Sequence, residues 1–328
     1  MRLSGAVLVL SALWLSGCEQ PAQQRAPAPA PAAATRAAPL TPASLALAES
    51  LKQLGDEWLG QLKDCSVQLE TDTKQFLAIS NDAGLENVKQ LWHTCHTLYQ
   101  GTELLLGVTP EQQNAMAKVR HNISSPLELP GYVDSIEGYP DSGIVHDTSL
   151  AMSEATLREQ QGLTAEEDVS IGFDVIAFLI WGEQRFNPQL PERPLKELTY
   201  VAGWENGRTD LPVSEHPQNR RRLYLQLATT LLKLDCDRLL TVWRKGPLPR
   251  SEKEASAWQL SVLQNGLALL ERYPGNSDIH MALSQWLSRV SATAANQSTD
   301  GAMTVATDPA QLRDEVQQAI NTLLTKQG

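Results

Sequence analysis

Residues 164–184 have the sequence "TAEEDVSIGFDVIAFLIWGEQ", and this stretch decides how the chain folds. Every residue between Gly172 and Gly182 is apolar except Asp174. An ionised carboxylate is costly to bury unless it is paired or hydrogen-bonded. The role of Asp174 therefore separates three kinds of protein: a metal-dependent enzyme, a metal carrier, and a protein with neither activity.

The helical period dominates the rest of the sequence. Apolar residues recur at spacings of three and four, and no segment alternates apolar and polar residues as a strand does. The sequence therefore predicts an all-α fold. Thr164 followed by Glu167 matches a capping box, which predicts a helix over residues 165–183. Other helices are predicted at 43–79, 84–106, 216–246, 252–272 and 276–292, and from Asp308-Pro309 onward, with loops at 185–215 and, including short helical pieces, at 108–148.

Residues 1–17 have the pattern of a bacterial signal peptide. The apolar run from Ala6 to Leu15 is too short to span a bilayer, which takes about 20 apolar residues. It ends in "LSGC", which resembles the lipobox whose cysteine receives a lipid, so Cys18 is the predicted lipidation site. The alternative is a cleaved signal peptide with an incidental Cys18.

An Ala/Pro-rich segment at residues 18–41 follows the lipobox and is predicted to be an extended tether. Glu19, rather than aspartate, follows the cysteine, which favours the outer membrane in the usual sorting rule. The sequence therefore predicts a protein on the periplasmic face of the outer membrane of a Gram-negative bacterium, held there by the lipid on Cys18. Residues 42–328 are the predicted folded part.

The net charge argues against nucleic acid as a partner. The whole chain carries 27 basic and 38 acidic residues, a net charge of −11. Loss of residues 1–17, which contain one basic residue and no acidic residue, changes the net charge to −12. A phosphate backbone would be repelled by such a protein.

Three cysteines lie in the predicted folded part, and an oxidising compartment allows one disulfide among them. If residues 47–79 and 84–106 form an antiparallel hairpin, Cys65 and Cys95 lie almost level with each other. That pair is the favoured disulfide and leaves Cys236 over. The alternative is that all three are buried thiols that pack as small apolar residues.

His93 and His96 are the first candidates for metal binding. Their spacing of three places both imidazoles on one face of a helix, which suits iron or zinc, and Cys95 lies close by. Two ligands do not make a metal site, however, and no glutamate completes a known motif here. A hydrogen-bonded structural role is the alternative.

Asp174 has four possible roles by residue type alone. It could pair with an arginine, for which the run Arg220–Arg222 supplies candidates, or accept hydrogen bonds from backbone N–H groups. It could also ligate a metal, or lie on a solvated stripe of its helix. The first two roles are favoured, since both compensate a buried charge.

The segment "IGFDVIAFLIWG", residues 171–182, resembles the signature helix of the imelysin-like family, also called the insulin-cleaving or imelysin peptidase family. The family pattern is Gly-x-His-x-x-Glu followed by aliphatic residues and Trp-Gly. The segments "GYPDSGIVHD" at 138–147 and "NRRRLYLQLATTLLKLDCDRLLTVW" at 219–243 resemble neighbouring parts of one branch of that family. The resemblance covers nearly all of residues 42–328.

The resemblance implies a fold of two packed helical bundles, each like an up-down four-helix bundle, with a groove between them. The bundles would span residues 42–150 and 210–328, joined by 151–209. This chain has Asp174 where the family has histidine and Ala177 where it has glutamate. Zinc hydrolysis needs three protein ligands, so neither catalysis nor a metal cofactor is expected at this position.

Three functions follow from the resemblance and its departure. The favoured one is a non-catalytic binding module, accessory to iron, other metal or haem acquisition and working with other envelope proteins of that uptake. The alternatives are a metal-dependent peptidase with a site rebuilt from Asp174, His93 or His146, and a subunit that only docks another envelope protein. The expected groove is lined by Asp174, Tyr139, Asp141, His146, Trp181, Arg220 and Arg221.

Overall fold

Helices make up the fold in the part of the chain that the structure describes. The structure is a computed structural model, and it describes residues 38–105, 110–204, 211–275, 277, 280–281, 283–284, 287 and 309–327. Within these ranges there is no β-strand beyond two isolated bridges, and the predicted all-α class is confirmed. The helices are α1 Pro42–Ala78, α2 Asp82–Gly101, α3 Pro110–Ile123, α4 Glu154–Gln160, α5 Phe173–Trp181, α6 Pro217–Lys245, α7 Glu252–Arg272 and α8 Pro309–Gln327.

Local capping chemistry sets where the long helices begin. The side chains of Thr41, Asn81 and Ser251 accept a hydrogen bond from the backbone N–H of the third residue of α1, α2 and α7, respectively. Proline occupies the first position of α1, α6 and α8, where its missing N–H is harmless. The predicted signal peptide, nearly all of the tether and most of the helix predicted at 276–292 lie outside the described residues.

The helix predicted at 165–183 is wrong in its first half. Asp168, and not Glu167, accepts the hydrogen bonds of Thr164. Its Oδ2 accepts from Thr164 N at 2.8 Å and from Thr164 Oγ1 at 2.5 Å. The segment closes into a turn, and α5 begins only at Phe173. Gly172 separates the two, since its φ of +98° lies outside the helical region.

Helix α3 is longer than the short helical pieces predicted for residues 108–148. Its apolar face is sparse: Met116, Val119 and Ile123 are buried, and most of its other residues are polar. Few apolar residues give a weak periodic signal, so the sequence underestimates this helix.

Helix α1 packs along both α2 and α6. Lys52 near the start of α1 donates to the carbonyls of Trp243 and Gly246 near the end of α6, and Arg222 near the start of α6 donates to Leu77 O. The two helices are therefore antiparallel. One continuous cluster of buried apolar residues contains side chains from every helix named above, and α5 lies within it. The division into bundles over residues 42–150 and 210–328 stays a prediction. That division places α1 and α6, which pack together here, in different bundles.

A disulfide joins Cys65 of α1 to Cys95 of α2, with the two Cα atoms 5.5 Å apart. Cys236 on α6 is a free and buried thiol. Burial raises its pKa to about 12, so it stays protonated and unreactive at neutral pH. Among the described residues, no helix has the combined length and apolarity that crossing a membrane requires.

Two glycines in α1 should respond oppositely to alanine. A Cβ on Gly55 would lie 2.2 Å from Cε2 of the buried Trp243 ring, whereas a Cβ on Gly60 would meet no described atom within 4 Å. We expect Gly55→Ala to lower the free energy of unfolding by about 1–3 kcal/mol through overpacking. We expect Gly60→Ala to raise it by up to about 1 kcal/mol through helix propensity. Urea unfolding of both variants checks this, and equal effects would contradict the α1–α6 packing.

Candidate functional site

The start of α5 is held against the end of α3 by a close backbone approach. A Cβ on Gly172 would lie 2.6 Å from the carbonyl oxygen of Ile123, so only glycine fits at this contact. From the other side, Trp92 on α2 donates from Nε1 to the carbonyl of Phe173 at 2.9 Å. These contacts fix the first turn of α5 and therefore the position of Asp174.

Asp174 lies at the edge of the core and pairs with a cation from its own segment. Its side chain is 16% exposed, Arg185 Nη2 lies 3.5 Å from its Oδ1, and Ser124 Oγ donates to its Oδ2 at 3.2 Å. Burial raises the pKa of Asp174, and Arg185 and Ser124 oppose that rise. An arginine partner is one of the two favoured roles, but the candidates Arg220–Arg222 are wrong. Each of them is engaged elsewhere.

Two histidines and two tryptophans surround this ion pair. His96 stacks on Trp92 with ring centroids 4.6 Å apart, and His93 packs edge-on against Trp92 and Trp181. The Arg185 guanidinium lies 5.4 Å from the centroid of the Trp92 ring. Burial, followed by the nearby Arg185 charge, lowers the pKa of His96 to about 4. His96 is therefore neutral at pH 7 and acts here as an aromatic packing group.

The residues at the signature helix do not fit a metal centre. Ala177 is fully buried and offers no lone pair, and Asp174 already faces the Arg185 guanidinium. Across the described residues, no group of three His, Cys, Asp or Glu side chains could hold a metal ion. A structural zinc site needs four protein ligands and a catalytic one needs three. No step of metal chemistry follows from this arrangement.

A second charged cluster surrounds the buried carboxylate of Asp134. Arg221 donates to both of its oxygens, at 2.5 and 3.0 Å, and Arg193 Nη2 lies 3.0 Å from Oδ2. His146 Nε2 is 3.4 Å from Oδ1. Burial opposes ionisation, but the hydrogen bonds and charges of His146, Arg221 and Arg193 hold the pKa of Asp134 well below its usual range. The cluster therefore contains a permanent carboxylate shared by two guanidiniums.

Arg220 anchors the loop that precedes α4. It is 1% exposed and donates to the carbonyls of residues 144, 145, 147 and 150, while its Nη1 donates to Glu215 at 2.6 Å. Its guanidinium holds a structural position and is covered by that loop. A role in lining an open groove is therefore wrong for Arg220, and Arg221 is likewise buried on Asp134.

The predicted groove residues divide between the two clusters. Trp181 and Asp174 lie with His93 and His96, whereas His146 lies with Arg221, and the exposed Asp141 is 3.9 Å from His146 Nδ1. Tyr139 is exposed on the loop that runs from Asp134 to His146. The structure therefore does not bring these seven residues together in one groove.

A cavity of about 470 Å³ opens between the loop after residue 134 and the loop after α5. Arg193 forms part of its wall and also belongs to the Asp134 cluster. Four glutamates contribute carboxylates, and aliphatic and proline side chains complete the surface. The lining residues are Ser135, Ile136, Glu137, Pro140, Gly182, Glu183, Leu190, Pro191, Glu192, Arg193, Pro194 and Glu197.

Sequence reasoning missed Arg185, Asp134, Arg193 and the cavity. Arg185 carried the clearest signal, since it is the first basic residue after the signature helix and lies one turn beyond Trp181. Asp134 and Arg193 lie in irregular loops, where no period reveals which side chains point inward.

Comparison with protein families supports the resemblance. The family model described as imelysin, peptidase family M75, matches residues 59–327, which is most of the chain. A comparison with the curated proteins found none that matches. The matched range contains the signature helix and both charged clusters. This chain therefore belongs to the imelysin family.

Proposed function

We propose that this chain is a non-catalytic binding protein of the bacterial envelope, held by a lipid on Cys18 at the periplasmic face of the outer membrane. Its role is accessory to the uptake of iron, another metal or haem, which is the context in which relatives are usually placed. The lipobox "LSGC" and the Ala/Pro-rich tether support the anchoring.

The ion pair between Asp174 and Arg185 carries the non-catalytic part of this proposal. Asp174 stands at the histidine position of the family motif, and the guanidinium beside it supplies a positive charge that a metal would otherwise bring. Ala177, at the glutamate position, is fully buried and cannot act as a base or ligand. A site rebuilt from His93 or His146 is disfavoured, since His93 packs on tryptophans and His146 lies in the other cluster.

The described end of the tether lies at the opposite end of α1 from the Asp134 cluster. Thr41 N donates to Glu252 Oε1 at 2.5 Å, and Ser44 Oγ donates to Oε2 at 2.7 Å, so the chain enters the fold beside the start of α7. Helix α1 then runs 37 residues, about 55 Å, to its other end. Arg221 and the Asp134 cluster lie at that far end, because α6 is antiparallel to α1.

Metal content tests the proposal directly. The full chain with Cys18→Ser, which cannot be lipidated, is incubated with iron, zinc or copper, desalted and measured by elemental analysis. We expect well below one equivalent of each metal, and the same value for Asp174→Ala, because the carboxylate is already neutralised by Arg185. A relative that keeps the histidine and glutamate is the positive control.

Two results would contradict this proposal. Stoichiometric metal in the parent chain that disappears in Asp174→Ala would mean that Asp174 is a ligand and is not committed to Arg185. Hydrolysis of an unstructured peptide by the parent chain, lost in the same variant, would overturn the non-catalytic assignment.

A further inference from the structure

The cavity beside the signature helix holds carboxylates that the protein itself does not neutralise. Glu192 pairs with Lys89, and Glu197 pairs with Arg193 at 2.7 Å. Glu183 accepts a hydrogen bond from the backbone N–H of Glu137 at 2.9 Å, and this bond places the two residues side by side. Among the described residues neither Glu137 nor Glu183 has a cationic partner. Two adjacent negative charges therefore remain available at the cavity wall.

The remaining wall is suited to an alkyl chain. Ile136, Pro140, Leu190, Pro191 and Pro194 supply apolar surface, and a volume of about 470 Å³ falls in the range of ligand sites.

One of the two loops that form the cavity belongs to a strongly acidic segment of the chain. Residues 128–168 contain ten acidic residues and one basic residue, Arg158. Eight of the ten acidic side chains are exposed. Such a surface attracts cationic partners and raises their rate of association. Exposed Tyr139, next to the cavity residue Pro140, adds an aromatic contact of the kind that interfaces favour.

We propose that this cavity binds a lysine or arginine side chain on a basic segment of a partner protein. The alkyl stem lies against the aliphatic and proline wall, as such stems do on apolar surfaces. The cationic head meets Glu137 and Glu183. This inference rests on the proposed binding function and names the chemistry of its partner.

Calorimetric titration with model peptides tests the assignment. The probe is a twelve-residue peptide with four lysines spaced by serine and leucine, and its control is the same peptide with every lysine acetylated. Acetylation keeps the stem and removes the charge. We expect the full chain with Cys18→Ser to bind the lysine peptide at least tenfold more tightly than the acetylated one.

Matched double variants separate the cavity from diffuse electrostatics. Glu137→Gln/Glu183→Gln removes two charges and keeps an oxygen that can accept the Glu137 N–H, so we expect about a tenfold loss of affinity. Glu166→Gln/Glu167→Gln removes two exposed charges outside the cavity and should change affinity less than about twofold. Equal losses in both variants would overturn the site. Circular dichroism verifies that each variant is folded.

Two further outcomes are decisive. Binding of spermine that competes fully with the peptide and is equally weakened by Glu137→Gln/Glu183→Gln would assign the cavity to free amines and overturn the peptide assignment. Mass spectrometry of the recovered peptide separates this inference from the proposed function. An intact peptide that does not bind contradicts only the inference, whereas a cleaved peptide contradicts the non-catalytic function.

Discussion

Asp134→Asn should lower the free energy of unfolding by about 3–5 kcal/mol, the range found when one partner of a buried ion pair is removed. The carboxylate has no exposed surface and is shared by Arg221 and Arg193. Asparagine keeps the shape of the side chain, but it leaves two buried guanidiniums with Glu197 as their remaining carboxylate. Urea unfolding at neutral pH, followed by circular dichroism, measures the loss.

Asp141→Asn is the matched control for this effect. Asp141 lies in the same loop and also approaches His146, but its side chain is 94% exposed. We expect a change of less than about 0.5 kcal/mol, as for most surface substitutions. Similar losses in the two variants would mean that loop charge in general, and not the Asp134 cluster, stabilises the fold.

The pH dependence of the difference in stability between the parent chain and Asp134→Asn gives an independent measurement of the contribution of Asp134. The pKa of Asp134 is depressed in the folded state, so its carboxylate binds protons more readily when the chain is unfolded. Its contribution is complete above the unfolded pKa of about 4 and declines as the pH falls below that value. The gap in stability between the parent chain and Asp134→Asn should therefore narrow as the pH falls below about 4. A gap that widened in acid would contradict the assignment.

Local signals explain which parts of the fold the sequence predicts well. Helix α7 begins and ends where Ser251 and the turn after Arg272 predict, because capping and apolar spacing depend on neighbours in the chain. The capping box at Thr164 fails for two reasons, one local and one not. Asp168 takes the donors at Thr164, and the backbone of Ile123 lies against Gly172, whose positive φ interrupts any helix through it.

At the candidate site, local sequence signals likewise do not reveal which side chains pair with each other. The apolar surroundings of Asp174 are sufficient to predict that an arginine or backbone N–H groups compensate it. Which arginine does so depends on how the chain after α5 folds back, and that geometry leaves no period in the sequence. Arg185 reaches Asp174, whereas the conspicuous run at residues 220–222 is committed to loop carbonyls and to Asp134. The cavity was equally hidden, because two loops distant in sequence form its walls.

Removal of the Cys65–Cys95 disulfide should lower the free energy of unfolding by about 3.5 kcal/mol, from the entropy of closing a loop of this length. The two cysteines are separated by 30 residues. The bond joins α1 to α2 at Cys95, which lies between His93 and His96 on α2. We expect Cys65→Ala/Cys95→Ala, in a chain that also carries Cys18→Ser, to show this loss in guanidinium unfolding. The parent chain should shift by the same amount when a reductant is added, whereas the double variant should not respond to it. Cys236→Ala supplies the control, since its thiol is buried and unpaired and its variant should keep the full response to reductant. A parent chain whose unfolding ignored the reductant would contradict the pairing.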